Sequence, residues 1–241
     1  MCNFFSFVGD GYGNFHAIGW ETRKKWMQKK SDNSPDSHTR ILTTMGVPPR
    51  MQDRWSKYEY NPITRKFTID EPVETHDHEA AERWSNNLDY KRVVAPLIIK
   101  PIIHPFNIKP ILIAEIDKKN LQRWDSVRDS VWDSVWDSVR DSVRDSVGDS
   151  VWDSVWASVW DSVGDSVWDS VGDSVWDSVR DSVRDSVGAY ISSFFDIRYK
   201  YDISPAIQLW ERGFVPAYDG KIWRLYGAPD ARVVYEWNPH A

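Results

Sequence analysis

The chain has 241 residues, a formal net charge of −6, 41% apolar residues, one cysteine and 15 tryptophans. That length holds one or two domains with real cores, and no apolar run approaches the roughly 18 residues of a membrane span. A lone cysteine excludes an intramolecular disulfide framework, and the opening MCNFFSFVGDGYGN lacks the basic flank and apolar core of an export signal, so the expected compartment is a reducing cytoplasm.

Residues 1–92 read as a small α+β domain. Asn3 to Val8 is an apolar strand, residues 9–14 a turn rich in Gly and Asn, and Phe15 to Trp20 the return strand. Glu21 to Lys30 reads as a helix. Asp36 or Ser37 caps a second one over residues 38–45. Lys57 to Ile69 forms a hairpin turning at Asn61-Pro62-Ile63-Thr64, and Thr75 caps a helix running to Asn86. Residues 93–123 are a lead-in and N-terminal cap: prolines at 96, 101, 105 and 110 forbid both a helix and a central strand over Val93 to Ile116, so that stretch is extended edge structure or an irregular first coil over the solenoid end, and Asp117 to Arg123 adds one or two helical turns.

Residues 124–187 are sixteen consecutive units of the form x-Asp-Ser-Val, broken only by Ala157, with x being Trp eight times, Arg five times and Gly three times. The tract carries a net −10, leaving +4 for the rest. In an α-helix each unit advances about 400°, so a row of identical residues drifts about 40° per unit and no fixed apolar face survives. Val, Ser, Asp, Trp and Gly are also indifferent or poor helix formers. A flat strand fails too, because alternation puts Asp and Val on the same face. The expected solution is a β-solenoid over residues 124–195, with Val lining the inside and x pointing out; the rival is one long α-helix of about 96 Å. Residues 196–241 form a C-terminal cap, with a helix from Pro205 stopped by Gly213, a hairpin around Asp219-Gly220, and Trp210 and Trp223 buried. The expected class is therefore mainly β, a tetrapeptide-repeat solenoid between a small α+β domain and a short cap.

The tract resembles the four-sided pentapeptide-repeat solenoids with one outer residue removed per side. With the flanks KYEYNPITRKFTID, LIIKPIIHPFNIKP, GAYISSFF and LWERGFVPAYDGKIWRL, the chain also resembles proteins of bacterial and phage genomes that combine a DSVx tract with these stretches. No activity carries over from that group.

The x row points to binding. Trp124, Arg128, Trp132, Trp136, Arg140, Arg144, Trp152, Trp156, Trp160, Trp168, Trp176, Arg180 and Arg184, displayed in register, would form aromatic and cation–π ladders on a large contact surface. The expected function is a non-enzymatic scaffold for a protein partner or for self-association. Direct nucleic-acid binding is disfavoured by the acidic tract, whereas the resemblance to pentapeptide-repeat proteins allows a DNA mimic whose carboxylates imitate phosphates.

Other chemistry reads as structural. Cys2, if Met1 were removed, would be an N-terminal nucleophile, an opening that resembles class II glutamine amidotransferases in the Met-Cys pair alone; a small strand cysteine is the simpler account. His76 and His78 point about 200° apart on a helix, so residues 76–79 and Glu82 mark a solvated helix start. His16 and His104 lack ligands at metal spacing. Asp36-Ser37-His38 has the residue types of a hydrolytic triad, but adjacent residues do not form one, and capping is preferred. No cofactor and no metal are expected.

Overall fold

The computed structural model describes residues 5–28, 35–73, 77–95, 97–129, 135–147, 149–172 and 180–241. The chain divides into two compact units, residues 1–100 with 143–156, and residues 101–142 with 157–241.

The first unit is built on β1 (Phe5–Gly9), β2 (Phe15–His16), β3 (Ser56–Asn61) and β4 (Lys66–Glu71), antiparallel in the order β2-β1-β3-β4. The first turn forms as its residues dictate: Gly11 and Gly13 adopt positive φ, and Asp10 Oδ1 accepts from the Tyr12 and Asn14 amides at 2.8 and 3.1 Å. Three helices precede the second unit's first: α1 (Trp20–Gln28), α2 (His38–Thr44) and α3 (His78–Asn86), followed by the single turn α4 (Tyr90–Val93). Ser37 is the cap of α2, its Oγ accepting from the Arg40 amide at 3.4 Å. Alternation along the strands gives the sheet two different faces. Phe7 and Tyr58, cross-strand partners, cluster with Phe15, Phe67 and Trp84 on one face in tilted and edge-on pairs. On the other, Val8 packs with Ile18, Ile41 and Leu42 beneath α2.

The repeat tract is helical, which overturns the β-solenoid. Among the described residues the class is mixed α and β with two small antiparallel sheets, and no strand occurs in the described part of the tract. The helices are α5 (Glu115–Asp129), α6 (Val135–Val147), α7 (Asp149–Val159), α8 (Asp165–Gly172) and α9 (Arg180–Ser192), with a π turn over Trp160–Gly164. A single straight helix is excluded as well. Asp125 accepts from Trp223 Nε1 at 2.6 Å and Ser182 Oγ accepts from the Tyr218 amide at 2.8 Å, yet Tyr218 and Trp223 are cross-strand partners. A straight helix would hold Asp125 and Ser182 about 86 Å apart.

A drift of about 40° per unit accumulates only along an uninterrupted helix. Three valines at four-residue spacing spread over only about 80°, within the apolar stripe of an ordinary amphipathic helix. Ten tract valines between Val139 and Val187 are buried. From Val151 to Val171 six successive valines would spread over about 200° in an α-helix; the extra residue taken up by the π turn sets the later ones back by about 100°. Serine satisfies its hydroxyl on the same backbone, Ser142 and Ser162 donating to the carbonyls of Ser138 and Ser158 at 2.7 and 2.6 Å.

The second unit closes with α10 (Ser204–Glu211) and the sheet β5 (Phe214–Tyr218), β6 (Trp223–Gly227) and β7 (Arg232–Trp237), in that order. Helix α10 packs on α5, α9 and β5. It stops at Gly213, whose φ of 87° and closeness to the Pro105 carbonyl leave no room for a side chain. Along α9 the serines stand about 6 Å apart, close to the roughly 6.7 Å between alternate residues of a strand. Ser182 therefore takes the Tyr218 amide while Ser186 donates to the Pro216 carbonyl at 3.0 Å, covering β5 with a helix face. Trp210 and Trp223 are buried, Trp210 stacking on Tyr190 at 4.9 Å and donating to the Ile103 carbonyl at 2.9 Å. Residues 98–114 of the proline-rich segment form neither α-helix nor strand, with one 3-10 turn at Pro105–Asn107.

Candidate functional site

Two of the described x residues are not displayed. Trp124 and Trp152 are core residues, 0% and 2% exposed, because in a helical tract a four-residue row reaches the buried side as readily as the wet one. Trp156, Trp160 and Trp168 are half-buried. Trp160 and Trp168 meet at 6.1 Å with their planes 55° apart, a tilted pair rather than a stacked ladder. Arg140 pairs with Asp137 and Asp141 at 2.9 and 3.3 Å, and Arg144 with Asp153 at 3.1 Å, so cations neutralise part of the acidic row. Arg184 is exposed. Trp132 and Trp176, and the side chains of Arg128, Trp136 and Arg180, lie outside the described residues.

Variation in x has a steric reason at one position. A Cβ on Gly164 would lie 2.6 Å from the Trp160 ring, so the indole lies across the backbone one turn on, and its Nε1 donates to Asp165 at 2.5 Å.

In the second unit the exposed apolar surface gathers elsewhere, around a groove of about 640 Å³ between residues 108–113 and the sheet. Its floor includes Phe214 and Val234, which meet over Gly227, where a Cβ would come within 3.3 Å of both. The ladder pairs Tyr226 with Val233 and Leu225 with Tyr235, leaving Val234 as the extra residue of a bulge facing this floor. Leu112 is 91% exposed and Val233 43%. Lys109 and Arg232 also line the groove and carry no ion pair among the described residues, whereas Arg212 is held by Asp117 at 2.5 and 2.9 Å. Burial of Asp117 and its acceptance of the Ala114 amide at 2.8 Å fix the start of α5 and the end of the extended segment. An open apolar trough with two available cations and an outer strand, β7, suits an extended chain carrying an acid beside apolar side chains. The hydropathy pattern hides this groove, because its residues come from three separated segments.

The remaining sequence candidates are placed as follows. Cys2 and His76 lie outside the described residues. His78 Nδ1 is 3.0 Å from Tyr58 Oη, which itself donates to Asp77; Asp77 also accepts from the Gly11 amide at 3.1 Å, tying the first turn to α3. His104 Nδ1 accepts from the Phe106 amide at 3.2 Å and Nε2 is 2.5 Å from Ser166 Oγ, with burial holding its pKa below the usual imidazole value. Asp36 is buried against Arg23. One cluster went unnoticed in the sequence: His38, Glu59 and Asp70 each bring a ligand atom within 4.8 Å of the others. Their spacing, 21 and 11 residues, signals nothing without the strand pairing.

No protein-family model matches the chain, and no curated protein or solved structure matches it. None of the described helices is long and apolar enough to cross a membrane.

Proposed function

We propose that the protein acts by binding rather than by catalysis, in the cytoplasm, and that the groove of its second unit receives an extended segment of a partner protein in which an acidic residue neighbours apolar ones. The helical tract is the scaffold of this reading: Asp125, Ser182 and Ser186 hold the sheet whose outer strand borders the groove. The observation that carries it is a 91% exposed Leu112 in the same trough as Lys109 and Arg232, two cations without a carboxylate among the described residues. Apolar surface of that kind is costly to leave in water and marks a contact site.

The test is selection of peptides from a random extended library on the full-length chain, followed by binding to Leu112→Asp and Arg232→Glu. The expected peptides share an acid next to apolar residues, and each substitution weakens them at least tenfold. Absence of any enriched peptide, or binding indifferent to both substitutions, refutes the reading. A change confined to oligomeric state would assign the groove to a second copy of the chain instead.

A further inference from the structure

Glu59, in the middle of β3, is 5% exposed, and among the described residues it meets neither a hydrogen-bond donor nor a cation. Its carboxylate faces the other two members of the cluster, His38 at the start of α2 and Asp70 in β4. The His38 ring is already set for coordination. Tyr58 O is a carbonyl and only accepts, so His38 Nε2, 3.0 Å away, carries the proton and donates to it. Nδ1 then presents its lone pair to the cluster, the arrangement in which a backbone carbonyl orients a ligating imidazole. Nδ1 lies 3.6 Å from Asp70 Oδ2, too far for a hydrogen bond and close to the separation of two donors sharing one small ion.

The strand pairing keeps a competing cation away. Lys57 pairs with Glu71 and Tyr58 with Ile69, so Asp70 is the extra residue of a bulge. In an unbroken ladder Lys57 would stand opposite Asp70; here its ammonium is taken by Glu71. Two carboxylates, one on a residue only 5% exposed, thus stand beside the imidazole with no Lys or Arg among them in the described residues. Burying an uncompensated carboxylate is unfavourable, and a metal ion removes that penalty.

We propose that His38 Nδ1, Glu59 and Asp70 bind one divalent first-row transition ion, such as Zn²⁺ or Mn²⁺. One nitrogen and two oxygens suit these ions, whereas an imidazole donor disfavours Mg²⁺ and Ca²⁺. Three protein ligands leave at least one coordination position open on the side of Asp70, whose side chain is 51% exposed.

The test is equilibrium dialysis of the full-length chain against Zn²⁺ and Mn²⁺ with excess Mg²⁺ present, together with X-ray absorption on the Zn²⁺-loaded protein. One equivalent is expected, with one imidazole nitrogen among oxygen scatterers. Glu59→Gln and Asp70→Asn should each weaken binding at least tenfold, with unchanged circular dichroism in the absence of metal. No binding by the wild-type chain, displacement by Mg²⁺, or binding unaltered in both variants overturns the proposal. If Glu59→Gln does not fold, Asp70→Asn alone decides, because its half-exposed side chain lies on the outer strand β4.

Discussion

Replacing Asp36 by Asn tests the buried ion pair of the first unit with almost no change of shape. Arg23 is 1% exposed and Asp36 0%. The guanidinium is bidentate, with Nη2 2.6 Å from Oδ1 and Nη1 3.1 Å from Oδ2, and Nε donates to the Ile18 carbonyl at 2.8 Å. Asp36 also accepts from the Ser6 amide at 3.4 Å. Asn keeps the size but removes the countercharge, leaving a guanidinium uncompensated in the interior; breaking such a pair costs about 3 to 5 kcal/mol. For a unit near 100 residues that corresponds to a fall of roughly 12 °C or more in melting temperature. The double change Arg23→Met with Asp36→Leu removes both charges and should recover most of the loss, giving a coupling of at least about 2 kcal/mol. Urea unfolding followed by both far-ultraviolet dichroism and tryptophan fluorescence measures the wild type, Asp36→Asn, the singles Arg23→Met and Asp36→Leu, and the double variant. A loss below about 1 kcal/mol in Asp36→Asn, or a double variant destabilised by the sum of the singles, would refute the reasoning.

Gly164→Ala sets helix propensity, which favours Ala by about 1 kcal/mol, against the Trp160 ring 2.6 Å from the new Cβ; net destabilisation with altered tryptophan emission is expected, and stabilisation would refute the steric account. Ser182→Ala leaves the Tyr218 amide without its 2.8 Å acceptor, so hydrogen exchange at that amide should quicken and stability fall by about 1 to 3 kcal/mol. Burial pushes the Tyr190 hydroxyl up to about 12 from 10.0, against the lowering effect of the Ile103 amide that it accepts. With the folded pKa raised, the neutral phenol contributes stability that is complete below pH 10.0 and is lost as pH rises through about 12. The difference in ultraviolet alkaline titration between wild type and Tyr190→Phe should show that late ionisation, and a difference centred near 10.0 would contradict it.

The elements legible in the sequence are those whose signal is local. Gly11, Gly13 and Asp10 specify the first turn, Gly213 stops α10, and Asp219 at the last hairpin accepts from the Lys221 and Ile222 amides at 2.9 and 2.8 Å. Burial of Trp210 and Trp223 follows from their place in apolar flanks. Strand β7 went unnoticed because its exposed and half-buried residues give no clear alternation. The return strand expected over residues 15–20 shrinks to Phe15–His16, since Trp20 begins α1. Asp77, read as part of a charged helix start, is spent on Tyr58 and Gly11.

Within the tract the apolar character of Val determined that it is the residue most consistently inside: ten valines between Val139 and Val187 are buried, whereas x reaches the core only at places such as Trp124 and Trp152. It did not determine the backbone, because a period of four lies close enough to 3.6 for short helices and fails only over long ones. That choice rested with the tertiary structure, where serines spaced along α9 match alternate groups of β5 and a π turn resets the valine row. The same holds for His38, Glu59 and Asp70, which only a helix laid over a bulged strand pair brings together.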